Sequence, residues 1–449
     1  MKKVRRQLII LTAGLLTTIQ TFSQETPLTI KTAIDRALAY NSSLKADSLN
    51  LQTAAFQART AKADLLPQVN YTAKTEYNPS IPSQMLPGHV IGQPNKDYVP
   101  VRFGTKYNMS NGLEVTQSLI RKSTRLQIAI AEFNTGIART KHRLTKEELV
   151  YQVAITYYAL QTSAEMIRTT ASDYDRLQHI LNISKAQYEQ GTLKRIDYQS
   201  LEMNVGNKLA YLNQLQTQYN DQLAGFNYLL GLPPGNITLI DENIRKTGDS
   251  IPAGNVLTQR EDLHLSRQLI ESKEMEIRSI RAEAKPVLNS YFRFGYQAQL
   301  SSMDKAFNND YWFRSSTIGI STSISLFDGF RRKSRVGTAT VQLQQLKLQL
   351  EDQQQNALTQ WQRENEKMRN NKVQYRITRH NLDLAEALFT SRMALYTEGT
   401  TTLMELLDAE RDLSEARDLY TQAEINVQTG IASVHKARGT ILTDFLNSL

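Results

Sequence analysis

Apolar positions recur along most of the chain at helical spacing, broken by four short stretches in which they alternate with polar ones. In the last segment Leu406, Leu413, Tyr420, Val427 and Val434 follow every seven residues, and Ala409, Ala416, Ala423, Gly430 and Ala437 form a second series three positions on. Such a heptad makes a left-handed coiled-coil seam, in which small side chains let backbones approach closely. An earlier segment repeats the large series as Tyr198, Val205, Leu212, Tyr219 and Phe226, with Lys208 and Gln222 interrupting its companion. From about Arg121 to Gln190, and again from about Phe330 to Glu398, there is no Pro and no turn cluster. At about 70 residues, each stretch would extend about 100 Å as one helix.

The alternating stretches predict strands at 68–78, 104–120, 287–297 and 315–327. Val69, Tyr71, Ala73, Thr75 and Tyr77 oppose Gln68, Asn70, Thr72, Lys74 and Glu76, while Ile318, Ile320, Thr322, Ile324 and Leu326 oppose Thr317, Gly319, Ser321, Ser323 and Ser325. Leu113, Val115 and Leu119, and likewise Leu288, Phe292, Phe294 and Tyr296, give weaker versions. Two environments fit: a small sheet packed on helices in water, or strands with lipid on one side and water on the other. Four strands leave two open edges, and lipid cannot satisfy exposed backbone. A membrane version therefore has to share its barrel among symmetric copies, two giving eight strands and three giving twelve. The polar connections Asn78 to Phe103 and Gln297 to Tyr311 would be its outer loops.

The chain is also a duplication. Tyr188-Glu189-Gln190-Gly191-Thr192 recurs as Tyr396-Thr397-Glu398-Gly399-Thr400, displaced by 208 residues, and the same displacement carries Gly231 onto Gly439. Ser118-Leu119 matches Ser325-Leu326, and Pro67-x-x-Asn70 matches Pro286-x-x-Asn289 at a displacement of 219. The expected organisation is a signal peptide at 1–23, a first repeat at 24–230 with long helices 121–190 and 192–231, and a linker at 231–258. A second repeat at 259–449 carries long helices 328–398 and 400–447.

Charge and composition narrow the function. Lys2, Lys3, Arg5 and Arg6 precede the apolar run Leu8 to Ile19 and the small-residue site Thr21-Phe22-Ser23, a secretory signal. Its removal would lower the formal charge from +9 to +5, with no basic block to suggest nucleic acid. No segment has the roughly 20 apolar residues of a membrane-spanning helix. Zero Cys excludes disulfides, thiolate metal sites, cysteine nucleophiles and a lipidated N-terminal cysteine. The six His are dispersed, and neither common phosphate-binding loop is present, so no metal, cofactor or catalytic residue is assigned.

Several patterns in this order resemble the TolC-like family of outer-membrane efflux proteins over essentially the whole mature chain. Ala33-Ile34-x-x-Ala37-Leu38-x-x-Asn41 leading to Leu66-Pro67 resembles the family's opening helix, and Arg260-Glu261-Asp262-Leu263 leading to Pro286 its counterpart. Leu326-Phe327-Asp328-Gly329 before Arg331 and Arg332 resembles the strand-to-helix junction. Tyr396-x-x-Gly399-Thr400-x-x-x-Met404-Glu405-Leu406-Leu407-Asp408-Ala409 resembles the second hairpin tip. The resemblance implies a mainly α fold with a small β part: a homotrimer whose twelve-stranded barrel in the outer membrane continues into a twelve-helix periplasmic tunnel. It implies a passive duct, not an enzyme, working with a periplasmic adaptor and a proton-driven or ATP-driven inner-membrane exporter. The missing Cys sets the chain apart from the acylated branch.

Residue by residue, the resemblance implies an acidic ring at the periplasmic entrance from Glu405 and Asp408, which lie three residues apart on one helix side. It implies gating links through Asp197 and Tyr396. The arginine that often follows the Gly-Thr of the second tip is replaced by Thr401, leaving Lys194 or Arg195 as substitutes. Adaptor docking is expected at Gly191, Thr192 and Leu193 and at Gly399, Thr400 and Thr401. Two other classes compete. One is a secreted structural coiled coil with a soluble sheet, and the other a secreted glycosidase using Glu405 and Asp408 as paired carboxylates, disfavoured because an extended coiled coil offers no enclosing pocket.

Overall fold

The computed structural model describes residues 28–235 and 256–448, so the expected signal peptide and most of the 231–258 linker lie outside the described residues. The chain opens with helices α1 (Ile30–Tyr40) and α2 (Ser42–Ala63). Strands β1 (Gln68–Tyr77), β2 (Ser83–Pro87), β3 (Tyr98–Arg102) and β4 (Tyr107–Ile120) follow. Next come helices α3 (Lys122–Glu189), α4 (Arg195–Leu229), α5 (Val256–Gln259) and α6 (Glu261–Ala282). Strands β5 (Val287–Leu300) and β6 (Trp312–Ser323) lead into helices α7 (Arg331–Thr397) and α8 (Leu403–Arg438). Among the described residues no helix is long and apolar enough to cross a membrane. The described residues form two compact units: those up to Asp47 with those of His142–Asp262 and Gln353–Leu449, and Ser48–Lys141 with Leu263–Asp352.

The second unit holds an antiparallel sheet in the order β1-β4-β5-β6. Its register collects the alternating residues into two chemically different faces. Val69, Val115, Phe292 and Ile318 stand in one cross-strand row, and Tyr71, Leu113 and Phe294 stand in another on the same face. The opposite face carries Asn70, Glu114, Arg293 and Thr317 in one row, where Arg293 Nε donates to Glu114 Oε1 at 2.7 Å. The apolar face is uncovered, with Ile318 83% and Tyr71 66% exposed. All ten residues of β1 are exposed, so the sheet is not tucked beneath helices as the soluble alternative requires.

Three expectations from the sequence need correction. The strand expected at 315–327 runs from Trp312 to Ser323, because the last pair is Val287 with Ser323 and β5 starts just after Pro286, which has no N–H to extend the ladder. The helix expected at 400–447 ends at Arg438, where Gly439 turns left-handed at φ 81°. The first outer connection, expected only as a loop, contains a ribbon: β2 and β3 pair antiparallel from Ser83 with Arg102 to Pro87 with Tyr98. Pro87 and Pro100 lie within these strands, and in a two-stranded ribbon both strands are edges, where Pro is tolerated.

In the first unit, Ile30, Ala33, Ile34 and Ala37 of α1 are fully buried with Val150, Val153, Tyr157 and Phe226 in one core. The duplication is visible here in hydrogen bonds. Gly191, Gly231, Gly399 and Gly439 all have positive φ. Each donates its N–H three residues back, while the next residue donates five back. That is the Schellman ending, in which a left-handed glycine satisfies the orphan carbonyls of a helix.

The inner pair of these glycines is also packed. A Cβ on Gly231 would lie 2.7 Å from the Tyr40 carbonyl, and one on Gly439 would lie 2.7 Å from that of Gln259. The residues that follow these two, Asn41 and Arg260, fasten equivalent carbonyls. Asn41 Nδ2 donates to Leu229 O at 2.9 Å, and Arg260 Nη1 donates to Ala437 O at 3.0 Å. Positions 41 and 260 are related by the 219 displacement, and 229 and 437 by 208. The internal repeat thus extends to individual joints.

Around Arg260 the charges are crowded. Its guanidinium grips Asp262 at 3.0 and 2.7 Å, and Arg143 pairs with Glu261 at 2.8 Å. Burial, reinforced by Glu261 and Asp262, pushes the Glu147 carboxyl up to about 7, against the pull of Arg143 and Arg260. The folded protein therefore holds a proton that the unfolded chain releases near 4.5, and stability falls as pH rises from there to about 7. Allowing for partial exposure, the loss is about 1–2 kcal/mol. Glu147→Gln should flatten the melting temperature across that window. A variant with the unchanged pH dependence would assign the effect elsewhere.

Candidate functional site at the helical tips

Both tips lie in the first unit, where α3 turns into α4 and α7 turns into α8. Gly191 and Gly399 end the incoming helices, and the hydroxyls of Thr192 and Thr400 add a bond each to Gln187 O at 2.9 Å and Leu395 O at 3.0 Å. A Cβ on either glycine would meet nothing within 4 Å. The tip surface is open. Leu193 is half-buried and packs against a core of Leu177, Ile180, Leu201, Val205, Leu403 and Leu406.

Tyr396 belongs to that core and is only 7% exposed. Its hydroxyl donates to Gln187 Oε1 at 2.9 Å and lies 3.3 Å from Ser184 Oγ. Its repeat equivalent Tyr188 is instead exposed and stacks on Tyr198 at 5.5 Å. Asp197 sits half-buried in the first turn of α4, where the helix N-terminus favours a negative charge. No bond joins it to Tyr396 among the described residues.

Glu405 has a definite local task. Thr402 caps α8, its hydroxyl accepting from Glu405 N at 3.3 Å while Glu405 Oε2 accepts from Thr402 N at 3.3 Å, a reciprocal capping box. Oε2 also accepts from the Thr401 hydroxyl and from Arg392 Nη1, the latter at 3.5 Å. The Thr401 hydroxyl, then the Thr402 backbone, then Arg392 hold this carboxyl below its usual range. Asp408 is exposed and pairs with Arg411 at 3.3 Å. Lys194 and Arg195 are exposed at the start of α4, and the cation beside Thr401 is Arg392 of α7, which the sequence reading missed.

Beyond this apolar core lies a buried charge cluster that joins all four long helices. Asp173 of α3, only 2% exposed, pairs with Arg176, with Arg417 at 2.9 Å and with Lys208 at 3.8 Å. Lys208 Nζ also donates to Ser414 Oγ at 2.7 Å, and Arg417 reaches Glu386 of α7 at 3.2 Å. Glu410 is buried beside them with one unpartnered oxygen. Burial pushes its carboxyl pKa up, and Asp173 adds to this, while Lys208, Arg176 and Arg417 oppose it. The interrupting Lys208 was the sequence signal for this cluster. Gln222, the other interruption, accepts from Ser163 Oγ at 2.8 Å. Among the described residues no cluster of His, Asp and Glu could hold a metal ion.

Known proteins repeat this architecture. The outer membrane efflux protein family matches residues 33–232 and 253–440. The alkaline protease secretion protein AprF of Pseudomonas aeruginosa is 20% identical over 328 residues, covering 70% of this chain and 67% of AprF. The CmeC outer membrane channel of Campylobacter jejuni superposes with a TM-score of 0.76 at 14% identity, covering 92% of this chain and 85% of CmeC. The outer membrane protein VceC of Vibrio cholerae gives 0.74 at 16% identity, covering 91% and 96%. With both repeats matched in order, the chain is an outer-membrane protein and belongs to the outer membrane efflux protein family.

Proposed function

We propose that this protein is the exit duct of a tripartite efflux or type I secretion system, passively conducting cargo handed on by a periplasmic adaptor and an inner-membrane exporter. The observation that carries this reading is the sheet with one uncovered apolar face, one polar face and free edges at β1 and β6. Three copies joined edge to edge close a twelve-stranded barrel, the polar face lining the water path. The long helices continue it as a periplasmic tunnel. The likeness to AprF, a protease secretion protein, keeps protein cargo beside small molecules.

In this reading the open tips, Gly191 to Leu193 and Gly399 to Thr401, meet the adaptor. Glu405 and Asp408, three copies of each, line the entrance and attract cations. Asp197 and Tyr396 take part in holding the entrance closed, with Arg392 in the place of the missing arginine. The test is conductance of the purified trimer in planar bilayers. Glu405→Gln, which preserves the cap, combined with Asp408→Asn should lower cation preference and weaken block by multivalent cations. Unchanged selectivity would remove both residues from the lining. Recovery of the native protein as a soluble periplasmic monomer would refute the duct itself.

A further inference from the structure

The two ends of the sheet differ sharply in charge. At one end are the joins to the helices, brought together by the pairings of Gln68 with Thr116, Ile120 with Leu288 and Val287 with Ser323. Lys62 and Asp64 precede β1, while Arg121, Lys122 and Arg125 follow β4. Arg281, Glu283 and Lys285 precede β5, and Asp328, Arg331, Arg332, Lys333 and Arg335 follow β6. That is ten cations against three anions. The connections at the other end hold Lys96, Arg102, Lys106 and Lys305 against Asp97, Asp304 and Asp310, four against three.

Few of the ten are neutralised. Lys62 pairs with Glu132, Arg335 with Glu283 and Arg332 with Asp328. The other seven are exposed and have no ion pair among the described residues. Beside them stand large apolar side chains that nothing covers: Leu326 is 87% exposed, Phe327 74% and Phe330 65%. The two rings pack edge to face at 5.4 Å, and Phe330 is held at φ 61°, a backbone conformation that a bulky residue rarely adopts. A row of aromatic and apolar groups capped by cations matches a bilayer boundary, with rings at the headgroup level and basic groups among the phosphates.

We propose that this collar binds anionic phospholipid headgroups in the leaflet that meets the helical end of the barrel. The bound lipid fixes the depth at which the barrel sits. The excess charge, confined to one end of the sheet, selects an anionic partner, and continuity with the apolar face selects a lipid over a free phosphate. The proposal rests on the sheet being the membrane-spanning part.

The experiment uses full-length trimer exchanged between detergent and vesicles of phosphatidylcholine, with or without phosphatidylglycerol, measuring retained lipid and insertion separately. Wild type should retain phosphatidylglycerol preferentially, and salt should weaken the preference. Each cation near an anionic surface is worth up to roughly fivefold, so losing four through Arg121→Gln, Lys122→Gln, Arg331→Gln and Lys333→Gln should cut the preference by at least about tenfold, even with most of that effect screened. Insertion and trimer assembly should survive. A quadruple variant with wild-type lipid preference, or wild type with none, overturns the proposal. Loss of the trimer in the variant would make the collar a contact between copies and would equally overturn it. Competition by inorganic phosphate at the same site would reassign it to a free anion. Failure of the wild type to insert would instead refute the membrane-spanning reading of the sheet.

Discussion

Asp173→Ala should destabilise the helical bundle by about 3 kcal/mol, because it leaves Arg176, Lys208 and Arg417 crowded in a seam without their shared counter-charge. The pair energies themselves are not the source of this figure, since buried ion pairs roughly repay their own desolvation. Stranding cations in a poorly hydrated seam is the costly step. Glu410 would relieve part of it, because losing Asp173 removes a neighbour that raises its carboxyl pKa. Asp173→Ala combined with Lys208→Met should therefore recover stability relative to the single change. Thermal melting of the purified protein by circular dichroism tests this. A single variant melting like wild type would show the cluster to be hydrated and energetically idle.

Gly439→Ala should cost roughly 3 kcal/mol, from the left-handed backbone and from overpacking against Gln259 and Arg260. Gly399→Ala shares the first cost and lacks the second, since its Cβ points into open space; its expected loss is about 1 kcal/mol. Gly231→Ala should resemble Gly439→Ala, and Gly191→Ala should resemble Gly399→Ala. Equal losses at all four sites would mean that the close approaches to Tyr40 and Gln259 relax without penalty. A larger loss at the tips would reverse the assignment of which ends are packed.

The duplication was the most legible feature in the sequence, because its strongest markers are left-handed glycines that few other residues can replace. The strand faces were legible for a similar reason: period two survives whatever the sheet packs against. The paired segment from Ser83 to Arg102 was not, since its prolines are forbidden only in central strands. The end of β6 depended on where its partner began, which no local window contains.

At the tips, the turn glycines followed from local spacing, whereas Glu405 reads in the sequence only as an acidic-ring residue and its bond to the Thr402 cap came from the structure. Nor did Arg392 follow from spacing, because it lies nine residues before Thr401 on the preceding helix and reaches the tip only once the chain has turned back. The cluster around Asp173 draws charges from four helices, and only Lys208 betrayed it by breaking a heptad series. Tyr396 and Tyr188 occupy equivalent positions, yet one is a core residue and the other a surface ring. Sequence equivalence specifies the turn and leaves the tertiary surroundings open.

The fastening at Asn41 and Arg260 has a consequence for how the molecule loosens. One joint is an uncharged amide grip, indifferent to ionic strength. The other depends on a guanidinium braced by a carboxylate, which dissolved salt shields. Two copies of one repeated joint thus differ in their response to solution conditions: concentrated salt should weaken the second in part, through its partly exposed Asp262, and leave the first unchanged.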